Sequence, residues 1–163
     1  MYDMEKHSLQ QIALLHAAIR DKAKQAYLEA VKATPALVHP YIDQTYRSFE
    51  ESDKLYAQGR TTPGQIVSNA KGGQSWHNYG LALDFHLIVN GKDVWDVNHD
   101  WMTVVNIFKA HGFTWGGNFS GLFKDYPHLE MKCGLTLAQA QKLYTDKDFI
   151  PGTQFIKINN AAV

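Results

Sequence analysis

Cysteine is almost missing: Cys133 is the single one in 163 residues. An intramolecular disulfide is therefore excluded, and stability has to come from a packed core. Surplus charge of either sign is missing too, because 16 basic and 16 acidic residues cancel. That balance argues against a nucleic-acid partner, whose phosphates call for a basic excess. No apolar run approaches the ~20 residues of a membrane span, so stable membrane association is not expected. The opening residues Met1-Tyr2-Asp3-Met4-Glu5-Lys6 lack a basic segment followed by an apolar core. A secretory signal is accordingly not expected there. Repeats and low-complexity tracts are absent, and the 45% apolar and 20% charged content is that of an ordinary globular chain. One domain over residues 1–163 is expected, acting as a monomer. Residues 132–163 should add a helix and a tail but no second module.

What is present alternates between helical and strand signals. Leu9, Ile12, Leu15, Ile19, Ala23, Ala26, Tyr27 and Ala30 recur at helical spacing, which predicts one long helix from about 5 to 33. Thr34-Pro35 ends it, since a residue before proline is pushed out of the helical region. Tyr41 to Tyr46 reads as a short strand. Ser48 with Glu51 forms a capping-box pattern, opening a helix to about Gln58 with Gly59 as its stop. Residues 60–76 read as loop. In Leu81 to Val89, Leu83, Phe85 and Leu87 alternate with Ala82, Asp84 and His86, the pattern of a strand with two different faces. Asn90-Gly91 predicts a hairpin turn, with the returning strand beginning at Val94-Trp95. A helix from about 98 to 111, short strands at Phe113–Trp115 and His128–Met131, and a last helix from Thr136 to about Tyr144 complete the reading; the segment after Pro151 has no clear pattern. The predicted class is α+β, a small antiparallel sheet flanked by helices.

Two short stretches carry chemistry. In Ser75-Trp76-His77-Asn78-Tyr79-Gly80-Leu81-Ala82-Leu83-Asp84, His77 precedes a strand and Asp84 lies inside it. An aspartate between apolar strand neighbours is costly to bury unless it is paired or binds metal. Backbone amides, an arginine or a metal ion would each serve, and these two residues leave the choice open. In Asp125-Tyr126-Pro127-His128-Leu129-Glu130, a rigid proline precedes a histidine at a strand start, with a carboxylate three residues upstream. Two histidines and one carboxylate with an open fourth position make a catalytic zinc set, and a nearby carboxylate can serve as a general base. The plain alternative makes Asp125 a turn former and Glu130 a solvated strand residue. His86 shares the Asp84 face and reads as structural. His7, His16, His39, His99 and His111 have no ligand type at a telling spacing.

The pattern Ser75-x-His77-x-x-Gly80-x-Ala82-x-Asp84 followed by Asp125-x-x-His128 resembles the signature of the M15 metallopeptidases. That family includes D-Ala-D-Ala dipeptidases, D,D-carboxypeptidases and L-alanyl-D-glutamate endopeptidases, and it shares its fold with the Hedgehog signalling domain. The resemblance runs from about Leu37 to Glu130. It takes in Tyr46-Arg47-Ser48, Leu55-Tyr56-Ala57-Gln58-Gly59-Arg60-Thr61 and Asn69-Ala70-Lys71-Gly72-Gly73-Gln74-Ser75, which look most like the L-alanyl-D-glutamate group of bacterial and phage cell-wall lysins.

The resemblance implies Zn2+ held by His77, Asp84 and His128, with Asp125 as general base. Aspartate rather than glutamate at position 125 favours the L-alanyl-D-glutamate subgroup. Arg47 would polarise the scissile carbonyl or bind a substrate carboxylate, the plain alternative being a salt bridge to a nearby carboxylate; Ser75 would touch substrate or orient a ligand, or be simply a loop turn residue; and Trp115 would form a cleft wall or else be a core tryptophan. Arg60 is expected to stabilise its loop. The implied activity is cleavage of the L-Ala–D-Glu bond in the stem peptide of peptidoglycan. The implied setting is a phage endolysin made in the cytoplasm and reaching the periplasm and cell wall after the membrane is breached. The rivals are a D,D-carboxypeptidase or dipeptidase removing D-Ala, and a non-catalytic zinc-stabilised binding domain.

Overall fold

The apolar spacing near the N-terminus does produce helix, but in two pieces. The computed structural model describes residues 2–121 and 124–158. In it α1 spans Tyr2–Ala13 and α2 spans Ala17–Ala33, which corrects the single helix expected over 5–33. No proline or glycine makes the break. His16 is held extended because its backbone N–H donates to the Gly80 carbonyl at 2.9 Å and its Nε2 donates to the Ile156 carbonyl at 2.8 Å. Its Nδ1 then accepts from the Ala18 amide and caps α2. Burial outweighs the hydrogen bond to Ile156 and lowers the His16 pKa, consistent with a neutral ring in this role.

Strand β1 spans Val38–Gln44, and α3 spans Phe49–Ala57 behind the full Ser48–Glu51 capping box. Strand β2 spans Ala82–Val89. Asn90 and Gly91 make the tight turn, but β3 is Lys92–Val94, so the returning strand begins two residues before the expected Val94 and ends there. Helix α4 (His99–Ala110), β4 (Thr114–Trp115), β5 (His128–Glu130) and α5 (Leu137–Thr145) follow. Beyond α5 the chain folds back, with Phe149 bridged to Ile156. Phe155 packs edge-on against His16 and Tyr46. The tail from residue 159 onward, left without a pattern above, lies outside the described residues.

The sheet is antiparallel throughout, in the order β1-β2-β5-β4, with β3 also paired to β2. It is the small antiparallel sheet of an α+β fold. Leu83, Phe85 and Leu87 are fully buried on one face of β2. They meet helices there: Phe85 and Trp101 of α4 pack with ring centroids 4.5 Å apart, and α2 packs against α4. The opposite face of β2 carries Asp84, which lies across from His128 on β5 and Gln44 on β1. The two faces thus divide the labour, one making the core and the other a cleft. Among the described residues no helix is long and apolar enough to cross a membrane.

Candidate metal centre and cleft

Each residue of the sequence pattern reaches the cleft by a different local device. Ser75 is the N-cap of a 3-10 turn, Trp76–Tyr79, and its hydroxyl accepts from the His77 amide. The turn ends at Gly80 with φ of +67°. A side chain there would be strained, and its Cβ would come within 2.9 Å of the His16 backbone nitrogen. This turn presents the His77 ring beside β2. Asp84 arrives from the strand itself. His128 starts β5, directly across from Asp84.

The three side chains converge. His77 Nε2 lies 3.2 Å from Asp84 Oδ1 and 3.2 Å from His128 Nδ1, and Asp84 Oδ1 lies 3.1 Å from His128 Nδ1. A tetrahedral zinc with bonds of ~2.0–2.1 Å has corners about 3.3 Å apart, so the triangle fits such an ion. The outward nitrogens are also fixed. His77 Nδ1 donates to the Thr45 carbonyl at 2.7 Å, and His128 Nε2 donates to Glu130 Oε2 at 3.0 Å. Each bond leaves the other ring nitrogen facing the triangle, which is how metal-binding histidines are usually oriented. Donor type, spacing and orientation all suit a divalent metal.

Electrostatics without a metal point the same way. Burial opposes ionisation of Asp84, but His77 and His128 outweigh it and hold the carboxyl far below the usual range. Burial likewise opposes a charged His128, yet Asp84 and Glu130 raise it to about 9. Burial, then the Asp84 charge, push the Asp125 carboxyl upward, the direction that makes a carboxylate a better base.

The cleft around the triangle has a volume of about 890 Å3 and is lined by Arg47, Ser75 and Asp125 as well as the three candidate ligands. Asp125 is placed by its backbone: its N–H donates to the Gly116 carbonyl, and its own carbonyl accepts from the His128 amide. Gly116 lies so close that a Cβ there would stand 2.2 Å from the Asp125 carbonyl oxygen. Arg47 donates its backbone N–H to the His77 carbonyl, and its buried Nε has no hydrogen-bond partner. A buried guanidinium N–H without a partner is costly, and an acceptor brought by a ligand would relieve it.

Trp115 is not brought to this surface. It is 8% exposed, belongs to the core, and donates its indole N–H to the Tyr126 carbonyl. Of the two expectations the core one holds: the ring turns inward and forms no wall of the cleft, and it supports the loop bearing Asp125. His86 packs between Tyr41 and Trp95 with Nε2 3.3 Å from Asp93. Arg60 donates to the Tyr56 and Ser68 carbonyls and to Asn69, fastening the loop beside the cleft.

Two residues were missed by reading the sequence. Glu130 is only 3% exposed and grips His128, so it is no solvated strand residue. The spacing i, i+2 on a strand, which puts two side chains on one face, was the available signal. Asn78 is buried and joins the local pieces: its amide donates to the Arg47 and Ser48 carbonyls and to Ser52 Oγ, and it accepts from the Gly73 and Ser75 amides. Nothing in its spacing distinguished it.

Known peptidases are similar to this chain. Residues 68–131, which contain all three candidate ligands and Asp125, match the peptidase M15 family described as D-alanyl-D-alanine carboxypeptidase. The chain is 45% identical over 128 residues to the peptidoglycan L-alanyl-D-glutamate endopeptidase CwlK of Bacillus subtilis (strain 168), covering 72% of this chain and 73% of that protein. The crystal structure of the Serratia marcescens L-Ala D-Glu endopeptidase ChiX is similar in fold, with a TM-score of 0.50 and 17% sequence identity, covering 77% of this chain and 86% of that one.

Proposed function

The chain belongs to the M15 peptidase family, and we propose that it is a zinc-dependent peptidoglycan hydrolase cleaving the L-Ala–D-Glu bond of the stem peptide. The observation that carries this reading is the meeting of the His77–Asp84–His128 triangle with Asp125 and Arg47 in one cleft. The similarity to CwlK supports the choice of bond.

A zinc ion held by His77, Asp84 and His128 would supply Lewis acidity, polarising a carbonyl and making water more acidic. The chain's own groups do the rest. Asp125 accepts a proton from the attacking water and passes it to the leaving nitrogen of D-Glu. The partnerless Arg47 Nε–H, or another donor of its guanidinium, binds the scissile carbonyl oxygen as charge builds on it. Ser75 holds the His77 amide and stands at the cleft wall, within the region a peptide would cover.

Mass spectrometry of the new termini released from purified peptidoglycan, with and without a chelator, tests the reading. Peptides with a new N-terminal D-Glu, and L-Ala with a new free carboxyl on the glycan side, are expected only without chelator. Release of terminal D-Ala would replace the proposal with a carboxypeptidase. Asp125→Asn should bind zinc and lose at least about a hundredfold in kcat; if it lyses walls as well as the parent, Asp125 is not the base. A role in host lysis by a phage belongs to the same proposal. Its test is whether expression in a host lyses the culture only when a membrane-breaching protein is co-expressed.

A further inference from the structure

Resting on the L-Ala–D-Glu reading, we infer that Lys132 binds the α-carboxylate of the D-Glu residue and makes the enzyme selective for stem peptides in which that carboxylate is free. A carboxamide at the same position has nearly the same shape and no charge. The substrate's chemistry fixes where the group must lie. The α-carboxylate is borne by the carbon attached to the scissile nitrogen. Wherever the scissile amide meets the triangle, the carboxylate is two bonds away from its nitrogen.

The cleft lining offers few partners for an anion. Asp84, Asp125 and Glu130 repel it, His77 and His128 belong to the candidate metal centre, and Arg47 and Lys132 are the arginine and lysine among the described lining residues. In the mechanism proposed above the Arg47 guanidinium serves the carbonyl oxygen, with its backbone N–H tied to the His77 carbonyl and its buried Nε left without a partner for that acceptor. Lys132 lines the cleft just after β5. Its Nζ lies 3.0 Å from Glu130 Oε1, while Glu130 Oε2 holds His128, so the ammonium is one side chain removed from the triangle. It is also 5.8 Å from the centroid of the Trp76 ring. Glu130 and Trp76 thereby restrict a side chain that would otherwise be free, and 49% of it remains exposed. An ammonium has three donors, and Glu130 needs one of them. The remaining donors are available to a carboxylate, with a charge-assisted bond about twice as strong as one to a neutral amide.

Lys71 is the other cation near this cleft in sequence terms, but it does not line it. Its Nζ sits 5.0 Å from the centroid of the Tyr56 ring. The selectivity therefore falls to Lys132.

Two synthetic stem peptides that differ only in carboxylate or carboxamide at the D-Glu α-carbon provide the test. Values of kcat/KM are measured for the zinc-loaded parent, Lys132→Met and Lys132→Arg, each checked for metal content and folding. The parent should favour the free carboxylate by about tenfold or more. Lys132→Met should bring that ratio close to one, and Lys132→Arg should retain most of it. Equal rates on both peptides by the parent would overturn the inference and leave the bond assignment standing. So would a Lys132→Met protein that loses activity on both peptides alike, because that result means Lys132 only supports Glu130. Cleavage of neither peptide by the parent would remove the L-Ala–D-Glu reading and this inference with it.

Discussion

Glu130 sets the orientation of a candidate metal ligand without touching the metal position, so replacing it separates positioning from ligation. Its carboxylate is 3% exposed and accepts from His128 Nε2 at 3.0 Å, which leaves Nδ1 in the triangle. Groups that hold a ligand this way are worth about 10–100-fold in metal affinity, or about 1.4–2.8 kcal/mol. Glu130→Gln keeps the volume and an acceptor but loses the charge, so it should fall at the lower end. Glu130→Ala leaves the His128 N–H buried without a partner and should fall at the upper end. The same orphaned donor should cost about 1–3 kcal/mol of stability, a drop of roughly 2–12 °C in Tm for a domain of this size. Lys132 adds little to that loss, because its half-exposed ammonium can return to water. Competition for zinc against a chromogenic chelator gives the affinities, and circular dichroism melts give the stabilities. Zinc affinities within about twofold of the parent for both variants would refute the role assigned to Glu130.

Two further expectations concern the same site. Metal binding requires neutral His128, whose metal-free pKa is raised to about 9 by Asp84 and Glu130 against the effect of burial. Zinc affinity should therefore rise about tenfold per pH unit between roughly pH 7 and 9 and then level off; a flat profile would exclude a proton at that position. The sign for stability is opposite. A raised histidine pKa stabilises the metal-free fold fully below the unfolded value of 6.5 and ceases to do so as pH climbs through about 9, so the metal-free Tm should fall over that window. Gly116→Ala places a Cβ 2.2 Å from the Asp125 carbonyl oxygen, and the loop must move. A displacement of about 1 Å in a catalytic group is worth on the order of a hundredfold in rate, with zinc affinity retained. A folded Gly116→Ala protein with parental kcat would show that the loop accommodates the methyl group without moving Asp125.

How legible the site was depends on how local its causes are. His77, Asp84, Asp125 and His128 stood out because ligand types recur at short spacings around a turn and a strand start. The alternation in Ala82–Val89 placed Asp84 opposite the core, and β2 has that arrangement. Capping at Ser48 and Thr136 was legible for the same reason, since the donor and acceptor are three residues apart. Glu130 was open to the same reasoning, but an acidic residue in a strand more often faces water. Asn78 was beyond it, because its partners lie up to 31 residues away. Trp115 shows the converse: an aromatic near the site in sequence turned inward because its indole N–H found the Tyr126 carbonyl.

The sequence by itself determined the helical and strand periods, the caps, the hairpin turn and the set of ligand types, all of which arise from neighbours along the chain. Tertiary structure decided what depends on distant partners. It broke the first helix at His16, where Gly80 and Ile156 supply the competing hydrogen bonds. By pairing β2 with β5 it set His128 opposite Asp84, 44 residues away. It also buried Glu130 behind His128 and left Lys132 at the cleft. A periodic pattern fixes which face a side chain takes, but only the packed sheet fixes what stands opposite it, and a metal centre is made of what stands opposite.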